Sequence, residues 1–475
     1  MKRFICAVLT LAGVFAADTS ADKMRAVETG LKPTRVIKGR AVPRYTIEER
    51  MRHYHVQGVS IAVIDQYKID WAKGYGLADV QSNRPVTTET LFQAGSISKP
   101  VAAVGAMKLV ESGKLTLDAD VNTWLKSWKI PDNEFTREQK VSLRRIMSHS
   151  AGLTVHGFPG YEIGKPVPSV PEVLDGKPPA NTAAVRVDTV PGTIWRYSGG
   201  GYTIMQLLLT DVSGRPFPAL LADLVLKPAG MSRSSYEQPP SAERAAACAT
   251  GYNVEGKAVT GRFHIYPEMA AAGLWTTASD LAQFAIEIQK SREGRSNRIL
   301  SKETAVEMLR EQMKPHGLGF SLEEKQGLRR FGHGGVDEGF QAQLAATFDG
   351  RGFAIMTNSD NGIRLMSEIA LAIGDAYGWP DKPEEREATT LTPEQLSRFA
   401  GSFETAQIGT VLVSVEGDHL RLKAPRVGET TMYPASDSRL FPIEPGLPDL
   451  VFTMPDDGGP ATEFRGGGVR ARRTK

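Results

Sequence analysis

The chain has 475 residues, enough for two or three domains and a large core. Hydrophobic residues make up 41% and charged residues 23%, the balance of an ordinary globular protein. With 57 basic side chains against 54 acidic, the formal net charge is only +3, so nothing suggests nucleic acid as a partner.

Lys2 and Arg3 precede an apolar run from Phe4 to Phe15, and Val14-Phe15-Ala16 offers small residues at a cleavage spacing. This is the pattern of a secretory signal peptide over 1–16, and it implies a periplasmic or secreted protein. The run is shorter than the about 20 residues a membrane span requires, and no later stretch is long and apolar enough for one. Cys6 falls inside the signal, so its removal leaves Cys248 as the single thiol and no internal disulfide.

Residues 17–44 are polar and aperiodic and read as a flexible lead-in. A domain over 45–378 opens with a short helix from Thr46 to Tyr54. The strand Gly58 to Ile64 follows, with an antiparallel partner from Ile69 to Tyr75. Helices dominate from Pro100 to Gly230. Between Val155 and Pro191 they give way to a segment dense in Pro and Gly, expected to lack regular structure and, with Trp275, to wall a cleft. Thr277-Ala278-Ser279-Asp280 has the form of a capping box before a helix from Leu281 to Gln289. Gly339 to Phe348 and Arg351 to Thr357 flank Asp349-Gly350, a hairpin signal, and a last helix runs from Leu365 to Tyr377. Residues 379–392 read as a linker. Short alternating strands from Phe403 onward place a small antiparallel β domain, barrel or sandwich, in 393–475. The Arg-rich end (Arg465, Arg470, Arg472, Arg473) reads as a solvated strand edge.

Three stretches could carry chemistry. Ser96-Ile97-Ser98-Lys99 precedes an apolar helical run, and a serine and lysine three apart share a helix face. A serine needs a base to take its proton, and a serine at a helix start leaves its own N–H free to stabilise an oxyanion. The spacing alone is weak, because about one or two chance matches are expected in a chain this long. Ser20-Ala21-Asp22-Lys23 is one, in the lead-in with no helix expected to hold it. Pro100 is tolerable only in a first turn, so Ser96 is expected to open the helix. Tyr197 precedes Ser198 and the glycine run Gly199-Gly200-Gly201, and could pass a proton to a leaving group. His333-Gly334-Gly335-Val336 lies before the hairpin, where an edge strand could offer the Val336 N–H as a second oxyanion donor.

Ser96-x-x-Lys99, Tyr197 and His333-Gly334-Gly335, in that order, resemble the penicillin-binding-protein and serine β-lactamase superfamily, in its class C β-lactamase-like branch of related esterases and D-amino-acid peptidases. Ile146 to Leu153 and Gly273 to Leu281 support the likeness. The resemblance implies an α+β fold: an antiparallel sheet flanked by helices, an all-helical subdomain, and a lipocalin-like C-terminal β domain. It also implies acylation of Ser96 with Lys99 and Tyr197 moving protons, the N–H groups of Ser96 and Val336 as oxyanion hole, and no metal or organic cofactor. His333, Gly334, Gly335, Gly199 and Trp275 are the expected substrate contacts. Two positions depart from the family pattern: Gly199 stands where asparagine is usual, and His333 where lysine is frequent. Both remove groups that hold a β-lactam, which favours a carboxylic ester or a D-amino-acid peptide or amide as substrate. A β-lactamase, or a non-catalytic protein binding penicillin or cell-wall fragments, remains the alternative, and oligomeric state stays open. His149 reads as structural, at a helix end. His53 and His55, two apart, cannot share a helix face and are discounted as metal ligands.

Overall fold

The computed structural model describes residues 19–406, 408–425, 428–444 and 446–474, so the expected signal peptide lies outside the described residues. The segment read as a flexible lead-in holds a helix, α1 (Ser20–Thr29), and a strand, β1 (Arg35–Ile37). Thr19 caps α1 reciprocally with Asp22, and Val27 buries completely. The decoy pair is therefore helical after all, but Ser20 bonds Asp70 and Lys23 pairs with Asp65.

Next come α2 (Ile47–Tyr54), β2 (Gly58–Asp65), β3 (Lys68–Asp79) and β4 (Arg84–Pro85). The long helices of the middle region are α3 (Ser98–Glu111), α4 (Gly199–Ser213) and α5 (Ala278–Glu293). Thr277 caps α5 by accepting from the Asp280 N–H, so this helix starts three residues before the expected Leu281. Then follow β5 (Ser321–Lys325), β6 (Leu328–Asp337), β7 (Phe340–Thr347), β8 (Gly352–Thr357), α6 (Gly362–Ala376) and β9 (Glu384–Arg386). The sheet order is β4-β3-β2-β8-β7-β6-β5, with every neighbouring pair antiparallel.

Alternation along β2 explains how the sheet is covered. Ala62 and Ile64 enter the core on the α5 side, while Val59, Ile61 and Val63 enter the one shared with α2 and α6. Both faces are buried, which is why β2 is continuously apolar. The first core runs on into the helices α3 and α4, which form the all-helical part.

Residues 379–392 do more than link. Trp379 is buried in the second core, and β9 pairs in parallel with β1, Arg35 opposite Glu384. The segment from Val155 to Pro191 also has structure, a helix over Val170–Asp175 and a strand pair between Tyr161–Glu162 and His264–Ile265.

The C-terminal part is a closed eight-stranded antiparallel barrel from Gly401 to Arg473, cored by Phe399, Phe403, Phe452 and Phe464. Its last strand, Val469–Arg473, pairs back onto the first through Phe403 and Arg473, so the Arg-rich end closes the barrel and is no edge. Ala471 points inward, with Arg470 and Arg472 outside. Among the described residues no helix is long and apolar enough to cross a membrane.

Candidate active site

Ser96 lies in a 3-10 turn, Gly95–Ile97, that runs directly into α3, so the α-helix proper opens two residues after the expected position. Pro100 is the third residue of α3, within its first turn, the part of a helix where proline is tolerated. Ser98 ties the turn down: its hydroxyl donates to the Gly95 carbonyl (2.6 Å) and accepts from the Leu274 N–H (2.9 Å). Lys99 is 2% exposed, and its Nζ donates to Ser96 Oγ at 2.9 Å and to the Ala271 carbonyl at 2.8 Å. Ser96 itself is half-buried and so reachable from solvent.

The inner end of β6 presses against this turn. β5 pairs with β6 only up to Gly332, so His333 to Asp337 form a free edge of an otherwise internal strand. The expected edge strand is thus half of β6. A Cβ on Gly95, which has φ of +51°, would stand 2.4 Å from the Val336 nitrogen, and one on Gly335 would stand 3.3 Å from the Ser96 nitrogen. The two backbones approach closely because both positions are glycine. Asp337 and Phe340 flank a two-residue turn, so Val336, paired with Gln341, turns its N–H away from β7 and toward Gly95. The Val336 nitrogen thus lies against Gly95 and the Ser96 nitrogen against Gly335, on the two sides of one glycine–glycine contact. Gly334 faces open space and the Val336 side chain is exposed.

Tyr197 is half-buried, and the Lys99 ammonium lies 4.9 Å from its ring centroid. Tyr202 is also near Lys99, at 5.7 Å, but it is fully buried. Its hydroxyl donates to the Met147 carbonyl, and burial pushes its pKa well above the usual range. Tyr197 is the accessible one of the two.

Around Tyr197 stand three histidines, of which the sequence reading brought only His333 to this site. His149, His316 and His333 place ring nitrogens within 4.8 Å of one another, a group of metal-ligating type. Their hydrogen bonds assign the tautomers. His149 Nδ1 accepts from the Ser198 N–H, and His316 Nδ1 accepts from the Trp195 indole N–H, which can only donate. Both rings therefore carry their proton on Nε2, and that of His316 donates to Ser321 Oγ. His333 Nδ1 faces the Gly334 carbonyl at 2.5 Å, which can only accept, so its lone pair is on Nε2. The lone pairs of His149 and His316 are thus already engaged, and the positive Lys99 lies close by, which argues against a metal centre. Burial, then the Lys99 charge, pushes His333 down to about 3 and His316 to about 4; burial also takes His149 well below its ordinary value. All three are neutral near pH 7.

Two expected contacts fall elsewhere. Trp275 is fully buried between Phe263 and Phe340, a core residue rather than a wall of the cleft. Gly199 is covered: a Cβ there would meet the His156 carbonyl oxygen and the Phe158 ring, each at 3.0 Å. That close fit, rather than substrate contact, is what the missing side chain permits. Trp195, whose indole bonds His316, and Val336, against Gly95, are exposed apolar groups at the site. Trp195 was legible only as an aromatic two residues before Tyr197, and His316 carried no sequence signal.

A family model described as Beta-lactamase matches residues 44–378. Penicillin-binding protein 4* of Bacillus subtilis is 22% identical over 440 residues, covering 87% of this chain and 93% of that protein. A D-aminopeptidase of Brucella anthropi is 26% identical over 385 residues, covering 78% of this chain and 68% of its own. The octameric penicillin-binding protein homologue from Pyrococcus abyssi shares the fold with a TM-score of 0.62 at 22% identity, over 90% of this chain and 98% of that one. The chain belongs to the β-lactamase family and is a serine hydrolase.

Proposed function

We propose that the protein is an exported hydrolase that cleaves an uncharged carboxylic ester through an acyl-enzyme on Ser96. The observation that carries this is the 2.9 Å contact between Lys99 Nζ and Ser96 Oγ, with the backbone of Gly335 and Val336 pressed against the turn that holds Ser96. Ser96 Oγ attacks the ester carbonyl carbon, and its proton passes to the Lys99–Tyr197 pair, which accepts it because the pair starts with one proton fewer than ammonium plus phenol. The carbonyl oxygen becomes an oxyanion held by the N–H groups of Ser96 and Val336. As the carbon–oxygen bond to the alcohol breaks, Tyr197 supplies the proton the leaving oxygen needs. Water then attacks the acyl-enzyme and loses its proton to the same pair, which returns it to Ser96 Oγ as the acyl bond breaks and the acid leaves.

The preference for an ester rests on charge. His333, at the position where the family pattern often has lysine, is neutral and cannot hold a carboxylate as a fixed cation would. The exposed side chains Trp195 and Val336 give the rim an apolar character. A D-amino-acid peptide or amide is the second reading, favoured by the likeness to the D-aminopeptidase. The test is purified protein treated with a fluorophosphonate and assayed on p-nitrophenyl esters, D-aminoacyl amides and nitrocefin. Labelling at Ser96 with fastest turnover of the esters is expected. Absence of both labelling and turnover would leave a non-catalytic binding protein, and faster amide turnover would select the second reading.

A further inference from the structure

We propose that His149 is a positioning residue for Tyr197, fixing the phenol from which the leaving group takes its proton. The inference rests on Tyr197 having that role. His149 holds the segment on both sides of the tyrosine: its carbonyl accepts from the Arg196 N–H at 2.8 Å, and its Nδ1 accepts from the Ser198 N–H at 3.1 Å. Its ring also stacks on the Tyr197 ring, with centroids 4.2 Å apart and planes at 29°. One residue thus engages its neighbour before, its neighbour after, and the side chain between.

The backbone of His149 is shaped for this. Its φ of +57° is in the left-handed region, uncommon for a residue with a side chain. His149 follows the helix Leu143–Met147, to which its N–H bonds through the Ile146 carbonyl. The left-handed turn there directs both the carbonyl and the imidazole at residues 196–198. The ring is 2% exposed and packs against His316 and Tyr202 as well, so it is held from behind. His149 does not serve as a base through Nδ1, because that lone pair is taken by Ser198. The phenol of Tyr197, by contrast, makes no hydrogen bond among the described residues, so its place depends on what grips the backbone and stacks on the ring.

Leaving-group dependence separates positioning from general support. p-Nitrophenolate departs without a proton, whereas an alkoxide does not. Ethyl and p-nitrophenyl butyrate share an acyl group, so the ratio of their kcat/KM values reads proton delivery during acylation. Two variants divide the contacts. His149→Asn keeps an acceptor for Ser198 and tolerates the left-handed backbone, while His149→Phe keeps the stacking and loses the acceptor. Each is expected to lower kcat/KM for the ethyl ester about 10²-fold, with a loss below about tenfold for the p-nitrophenyl ester. Fluorophosphonate labelling of Ser96 should persist, showing that the site is folded. His149→Asn combined with Tyr197→Phe should be no worse than Tyr197→Phe alone. Equal losses on both esters, or additive losses in the double variant, would overturn the inference. If Tyr197→Phe shifts the ratio and the His149 variants do not, His149 alone loses its role. If Tyr197→Phe leaves the ratio unchanged, the reading of Tyr197 itself fails and the inference goes with it.

Discussion

The Cα of Gly335 faces the Ala94 carbonyl so closely that a Cβ would stand 1.9 Å from the oxygen. Neither atom belongs to a flexible side chain, so the clash can be relieved only by moving β6 away from the turn that carries Ser96. Gly335→Ala is therefore expected to separate the Val336 N–H from the Ser96 N–H while leaving Ser96 and Lys99 together. Loss of one oxyanion donor costs about 10²–10³ in kcat. The check is kcat on a p-nitrophenyl ester with the melting temperature alongside. Activity near wild type would show that Val336 is not a donor.

Ser96→Ala should abolish fluorophosphonate labelling, and Lys99→Met should lower it by several orders of magnitude without unfolding the chain. Lys99 is enclosed, and methionine fills similar space with no buried charge. Ser20→Ala should label as wild type, because Ser20 bonds Asp70 on β3 and lies in α1, outside the site. Mass spectrometry of the labelled peptide distinguishes these outcomes. Label on Ser20 or retained labelling in Ser96→Ala would reassign the nucleophile.

The contrast between those two serines shows how far the sequence carried. Helix context was meant to separate them, yet α1 is a helix, with a Thr19–Asp22 capping box and Met24, Val27 and Leu31 at helical spacing. That signal was diluted by the charged residues between, and packing against the sheet overrides the weak propensity. What singles out Ser96 is the strand beside it. β2, the hairpin and the large helices were legible because their apolar runs are long and are bounded by turn and cap residues. The pairing of β1 with β9 was not, since Arg35 and Glu384 are remote in sequence and each strand has only three residues. The meeting of His316 with Trp195 was hidden in the same way, since it comes from tertiary packing that no local pattern encodes. Trp275 was misplaced because a tryptophan in a family motif serves the core as readily as the cleft.

Gly199→Asn restores the residue usual in the family's second motif, yet it should not restore contact with a β-lactam. The His156 carbonyl and the Phe158 ring occupy the space the asparagine would need. The 156–158 segment would have to lift, and overpacking of this kind costs about 1–3 kcal/mol. A lower melting temperature with no gain on nitrocefin is expected. Gain of nitrocefin turnover with unchanged stability would mean that the segment yields freely.

Glu268 supplies a prediction about pH that is separate from catalysis. It is fully buried just before the helix Met269–Ala272, and neither carboxylate oxygen has a partner among the described residues. Burial pushes its pKa from 4.5 up to about 8. Between those values the folded chain keeps a proton that the unfolded chain has released. Stability therefore falls as pH rises through this window, by on the order of a few kcal/mol. His316 and His333, held at about 4 and 3, act in the opposite sense. Their unfolded forms gain protons as pH drops below about 6.5, so their contribution rises with pH up to there and is constant above. The window from about 6.5 to 8 thus isolates Glu268 from those two histidines. Glu268→Gln stays neutral throughout, so its stability relative to wild type should grow between pH 6.5 and 8 and level off above. Urea midpoints measured for both proteins across that range provide the check, and a difference that does not change with pH would show that Glu268 is already ionised in the folded protein.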